Sequence, residues 1–279
     1  MLERTFCHIP GVSPRIETLI WEQGILSWDE FLAAPAPPLT PARVAAAGEE
    51  LRRSRACLEA DDVSYFSRLL PSREEWRLFS TFRHTAAYLD IETTGLGSPA
   101  DHITTIALYD GRRVHHYVHG ENLDDFRRDI RRYGLIVTYN GKRFDIPFIE
   151  RTLGVAIPQP HIDLMHVLHI LGIKGGLKGC EQQLGIARDG LEGVDGYFAV
   201  LLWRDYVESG RRASLETLLA YNCADAANLE TLLVHAHNRK VRLTPFGESH
   251  ELPLPERPSI PFAADAATID RLRRRYAAF

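Results

Sequence analysis

From Ala86 onward the apolar residues change period, and this change constrains the fold more than any other feature of the sequence. The segments AAYLDIE, ITTIALYD, RVHHYVHG and GLIVTYN are rich in β-branched and aromatic residues and are bounded by Gly, Asp or Asn, so strands are expected there. A helix is expected around Asp124 to Tyr133, between the third and fourth strands. After Asp145 the pattern turns helical, over roughly 146–153, 164–171, 177–184, 196–209 and 214–239. Three hairpin-like strands, a helix, a returning strand and then helices define an α/β domain, a mixed sheet flanked by helices.

The residues before this domain read as short helices. Ser13 and Pro14 suit an N-cap and first helical residue, Gly24 a stop, and Ser27 with Glu30 a capping box. Thr40 and Pro41 open a longer helix to about Ala60, and Ser72 with Glu75 opens another. Beyond Lys240, Pro245, Pro253, Pro255, Pro258 and Pro261 interrupt regular structure, and a short helix carrying RLRRR ends the chain. The expected organisation is a small all-helical N-terminal domain over 1–83, an α/β domain over 84–240 and a Pro-rich tail over 241–279. The tail arginines suit a solvated face or a phosphate contact.

Composition excludes several classes. No stretch approaches the roughly 20 apolar residues needed to span a bilayer, and MLERTFCHIPGV lacks the pattern of a secretion signal, so no membrane association and a cytoplasmic location are expected. Cys7, Cys57, Cys180 and Cys223 are scattered without a C-x-x-C pair, which points to inert thiols. A net charge of -4 argues against a basic coat for nucleic acid, although arginines cluster locally at 127–132 and 271–275.

Chemistry is concentrated in acidic residues. In YLDIETTG, Asp90 and Glu92 stand two apart on an apolar strand, so alternation projects both carboxylates from one face. Burying two such charges is expensive unless a cation compensates; otherwise both lie at a strand end that reaches water. Asp145, in NGKRFDIPFI, lies where a helix begins after a Gly turn, a position acids also occupy for dipole reasons. In YNCADAANL, Tyr221 and Asp225 share a helix face at four-residue spacing, a pair that also arises by chance. Together the four acids make an all-oxygen set suited to Mg²⁺ or Mn²⁺. Two such ions about 4 Å apart can activate a water and stabilise a leaving oxygen in phosphoryl displacement.

At these residues the chain resembles the DEDD exonuclease superfamily in its tyrosine subclass, with D-I-E-T at 90–93, N-x-x-x-F-D at 140–145 and Y-x-x-x-D at 221–225. More closely it resembles the bacterial YprB-like predicted exonucleases. The resemblance implies a ribonuclease H-like fold over about 84–240, a nucleic-acid partner and removal of nucleotides from a single-stranded 3′ end of DNA or RNA. It implies that Asp90, Glu92, Asp145 and Asp225 ligate two divalent cations, Mg²⁺ or Mn²⁺, and that Tyr221 orients the attacking water. Thr93 and Leu96 fall where the family holds the terminal nucleotide, and Asn140 and Phe144 beside the scissile end.

Other residues keep two readings. Asp163 caps an apolar helix or supports the metals, Lys178 in GGLKGCE contacts phosphate or is merely solvated, and His166 with His169 lack a third zinc ligand at suitable spacing. IPGVSPRIETLIWEQGI resembles a helix-hairpin-helix over 9–25, with Ser13 at the usual second Gly, and either grips nucleic acid or packs as a helix pair. Two other activities compete with exonuclease action: a nucleic-acid-binding module without catalysis, and a small-nucleotide phosphodiesterase.

Overall fold

The structure, a computed structural model, describes residues 1–33, 39–188 and 190–276. The chain forms two compact units, Met1–His84 with His237–Leu252, and Thr85–Ala236 with Pro253–Phe279.

The first unit is helical: α1 Pro14–Glu22, α2 Trp28–Ala33, α3 Pro41–Glu59, α4 Val63–Leu69 and α5 Phe79–Phe82. Ser13 caps α1, accepting from the Ile16 N–H at 3.3 Å, with Pro14 preset for the first turn. The segment expected to start a helix at Ser72 is instead a 3-10 helix, Ser72–Leu78. Its tighter winding lets Glu74 accept from Trp76 Nε1 and Arg77 Nε, both at 2.9 Å. Arg77 also pairs with buried Glu17 at 2.8 Å, whose carboxylate accepts from the Phe6 and Cys7 amides. The four cysteines are free thiols.

The second unit holds one sheet of five strands in the order β3-β2-β1-β4-β5: β1 Ala86–Thr93, β2 Ile103–Tyr109, β3 Val114–Val118, β4 Leu135–Thr138 and β5 His161–Asp163. β1 to β3 are antiparallel neighbours, whereas β4 runs parallel to β1 and β5 parallel to β4, so the sheet is mixed as expected. Helices α6 Phe126–Asp129, α7 Asp145–Leu153, α8 Leu164–Ile170, α9 Gly176–Gln183, α10 Gly196–Ser209 and α11 Arg212–Val241 follow, α11 ending within residues of the first unit. A short α12, Gly247–His250, and α13, Ala266–Tyr276, complete the order.

Strand alternation divides the layers around β1. Ala87, Leu89 and Ile91 enter one core with Phe126, Ile130 and Phe148, Ile149 and Leu153 of α7. The even-numbered residues meet α11: the Tyr88 hydroxyl donates to Glu230 at 3.1 Å, and the Asn222 amide donates to Asp90 at 2.6 Å. Burying α7 on one face and α11 on the other makes β1 a central strand whose Tyr88, Asp90 and Glu92 face the α11 layer.

The 241–279 segment divides between the units. In its second part Phe262 packs edge-on against His116 with centroids 4.8 Å apart, and the Asp265 amide donates to Thr217 at 3.0 Å. The terminal arginines serve as anchors. Arg271 grips Asp205 of α10 through two bonds of 2.8 and 2.7 Å, which ties α13 down and takes this arginine out of the solvated or phosphate-binding roles.

Candidate active site

The local sequence explains why acids converge here. β1 carries a register shift against β2 between Glu92 and Thr93, an irregularity in the ladder beside the acids. The β1–β4 ladder stops at Tyr88, so the Ile91 amide lies beyond it and donates to Asp145 Oδ1 at 3.2 Å. Asp145 is therefore held to β1 from the first residue of α7. The turn that delivers it is tight: the Gly141 amide donates to the Thr138 hydroxyl at 3.0 Å, and a Cβ at Gly141 would overlap that hydroxyl.

On α11, Tyr221, Asn222 and Asp225 face β1. Asn222 donates both to the Asp90 carboxylate and, at 3.1 Å, to its backbone carbonyl, fixing the helix along the strand. Carboxylate oxygens of Asp90, Glu92 and Asp225 all lie within 4.8 Å of one another. Asp145 joins them on the wall of one cavity of about 590 Å³, together with Tyr221, Thr93, Leu96, Asn140 and Phe144.

These carboxylates are mutually costly. Burial, and then the charges of Asp225, Glu92 and Asp145, hold the Asp90 carboxyl well above its usual range. Glu92 is raised by burial and by Asp225. Burial pushes Asp145 up to about 7, against the lowering effect of backbone N–H bonds, and Asp225 up to about 6, against the pull of Arg188. Burial also raises the Tyr221 hydroxyl above its ordinary value, followed by the charges of Asp225, Glu92 and Asp90. An all-oxygen donor set whose members resist ionising together fits a hard divalent cation, which would relieve that repulsion.

Two basic residues border the acids. Arg188, its side chain 10% exposed, bridges Asp225 and Glu181, and Asn228 donates to the other Glu181 oxygen at 2.8 Å. Lys178, whose sequence setting suits a phosphate contact or plain solvation, is partly buried. Its Nζ donates to the Val194 carbonyl and sits 4.5 Å from the Tyr221 ring centroid, and it is not among the cavity-wall residues. This bond to a backbone carbonyl ties the ammonium to the loop before α10.

The remaining expected residues separate clearly. Thr93 is buried and donates its hydroxyl to the Gly95 carbonyl at 2.6 Å, whereas Leu96 is 94% exposed at the cavity. Asn140 adopts a left-handed φ of +63°, held by its amide donating to Asp163 at 2.8 Å. Asp163 also accepts from the Lys142 and Met165 amides, so it caps α8 and clamps the Asn140 turn. His166 and His169 join no three-residue metal-ligating cluster among the described residues. Arg188, Glu181, Asn222 and Asn228 escape sequence reasoning. Asn222 alone has a signal, its place beside Tyr221 on the same helix face as Asp225.

A sequence-family model described as the RNase H superfamily matches residues 87–237. No curated protein matches the chain. Among solved structures, the chain is similar to the family B DNA polymerase from the hyperthermophilic archaeon Pyrobaculum calidifontis, at 18% identity and a TM-score of 0.42, over 55% of this chain and 25% of the polymerase. This chain thus spans about a quarter of that polymerase's length. It is also similar to a structure described as the apo form of a nuclease, at 18% identity and a TM-score of 0.41, over 71% of this chain and 86% of that one. The family match runs from β1 through most of α11, more than half of the 279 residues, and so the chain belongs to the RNase H superfamily.

Proposed function

We propose that this protein is a metal-dependent nuclease that removes nucleotides from the 3′ end of single-stranded DNA or RNA, a tyrosine-subclass DEDD exonuclease close to the YprB-like group. The observation that carries this reading is the convergence of Asp90, Glu92 and Asp225, with Asp145 and Tyr221, on one cavity. The 3′-to-5′ direction rests on the motif resemblance.

In this reading Asp90, Glu92, Asp145 and Asp225 hold two divalent cations, Mg²⁺ or Mn²⁺. Bound, such ions supply Lewis acidity for the attacking water and the leaving oxygen of an in-line displacement. Burial and the neighbouring carboxylates raise the Tyr221 hydroxyl above its ordinary value, which suits it to orient the water by hydrogen bonding rather than to take a proton from it. Asn222 holds Asp90 in the orientation the ions require, and the Ile91 amide does the same for Asp145. Leu96 and Phe144 offer apolar surface to the terminal base, with Thr93 and Asn140 beside them.

The test is a time course on 5′-labelled single-stranded DNA and RNA with Mn²⁺, Mg²⁺ or EDTA. A ladder shortening from the 3′ end only with metal is expected. Cleavage of circular single strands would point to an endonuclease, faster turnover of dinucleotides than of long strands to a small-nucleotide phosphodiesterase, and tight binding without cleavage to a binding module.

A further inference from the structure

The wall of the acidic cavity includes a stretch of α10 that the motifs do not touch. Tyr197, Val200 and Arg204 stand at i, i+3 and i+7, one stripe of the helix, and all three line the cavity. The opposite stripe is anchored: Phe198, Leu201 and Leu202 pack with Leu215, Leu218 and Leu219 of α11 and with Ile269 and Leu272 of α13. α10 is thus a rigid rail, and its cavity-facing side chains are presented rather than consumed by packing.

Both polar-ended residues on that stripe are unspent. Tyr197 is 69% exposed although large aromatic side chains are usually drawn inward. Arg204 is exposed and, among the described residues, makes no ion pair or hydrogen bond. Its neighbours behave otherwise: Arg211 and Arg271 pair with Asp205, and Arg212 with Glu121. A cation left without a carboxylate beside a cavity rich in carboxylates is placed to attract an anionic ligand that those acids alone would repel.

We propose that Tyr197 and Arg204 form a strand-binding track on α10, in which Tyr197 stacks on an unpaired base and Arg204 pairs with a backbone phosphate farther from the 3′ end. Seven helical residues place the two about 10 Å apart along the axis, a distance that spans more than one nucleotide. The track therefore selects single strands of several nucleotides over dinucleotides, and over paired ends whose bases are not free to stack. This inference rests on the nuclease reading and names its substrate class more narrowly.

The experiment compares KM and kcat for a labelled single-stranded 20-mer and for a dinucleotide, with Mn²⁺, in the full-length chain. Tyr197→Ala is expected to raise KM for the 20-mer about ten- to a hundred-fold with little change in kcat, the loss of one stacked base. Tyr197→Phe, which keeps the ring, is expected to restore it. Arg204→Ala is expected to flatten the slope of log affinity for the 20-mer against log salt by about 0.7, one phosphate contact on a single strand. The preference for the 20-mer over the dinucleotide falls by the same factor as KM rises. If the parent protein cleaves both substrates and neither variant changes that preference or the salt slope, the track is refuted while the nuclease reading stands. If the parent protein cleaves neither substrate, the nuclease reading falls and the track falls with it.

Discussion

Replacing Asp145 with Asn tests the electrostatic logic of the site without needing any catalytic assay. Burial pushes this carboxyl up to about 7 from its ordinary 3.8. At about 1.4 kcal/mol per pH unit, that difference means holding the ionised form in the folded protein costs about 4 kcal/mol. Because the folded-state value lies above the unfolded one, stability is fully present below about pH 4 and is lost as pH rises through about 7. Asn has nearly the same shape, and its Oδ1 can still accept from the Ile91 amide that Asp145 now holds at 3.2 Å. In EDTA at pH 8, Asp145→Asn should therefore be more stable than the parent by up to about 4 kcal/mol, narrowing to about 2 kcal/mol at pH 5. Urea unfolding measures this directly: at an m value of about 2 kcal/mol per M, the midpoint should move up by as much as ~2 M at pH 8. Mn²⁺ should narrow the gap at pH 8, since a cation at a hundred times its dissociation constant adds about 2.7 kcal/mol to a protein that binds it, and the variant has lost a ligand. A variant no more stable than the parent in EDTA at pH 8, or a gap that does not change with pH, would refute the claim that Asp145 is a desolvated charge awaiting a cation.

Asp90→Ala and Asp225→Ala should each abolish metal-dependent cleavage while circular dichroism shows the fold retained, and Tyr221→Phe should slow cleavage about a hundred-fold through loss of water positioning; full activity of the Asp225 variant would sink the site assignment. Arg188→Ala leaves Asp225 and Glu181 buried without their shared cation, so the metal-free protein should lose about 3–5 kcal/mol in urea melts, with part of the loss recovered by Mn²⁺. Asp205 is held down at about 2, chiefly by its bonds to Arg271, so the stability it contributes is present above about pH 4 and lost as pH falls toward 2. Because its arginine partners are partly exposed, Asp205→Asn should cost only about 1 kcal/mol at pH 7 and almost nothing near pH 2, as read by acid and urea titrations.

Much of this protein was legible in the order of its residues, because the signals involved are local. Strand alternation placed Asp90 and Glu92 on one face, four-residue spacing aligned Tyr221 with Asp225, and the helices after Asp145 lie within a few residues of their expected bounds. Ser13 and Asp163 act as caps for the same reason: a cap needs only the next two or three amides. Local signals failed where elements were short or mixed. β5 is only His161–Asp163, too brief to show a period, and the Ser72 segment winds as a 3-10 helix around Glu74 and Arg77.

What only the tertiary structure decided is where long side chains go. Lys178 and Arg188 carry no spacing that distinguishes them, yet one holds a backbone carbonyl and the other bridges two buried acids. Arg271 binds Asp205, while Arg204, one residue before that aspartate, is left exposed on the cavity wall. A backbone period is set by neighbours along the chain, but a guanidinium on a flexible stem is claimed by whichever carboxylate the folded chain brings within reach.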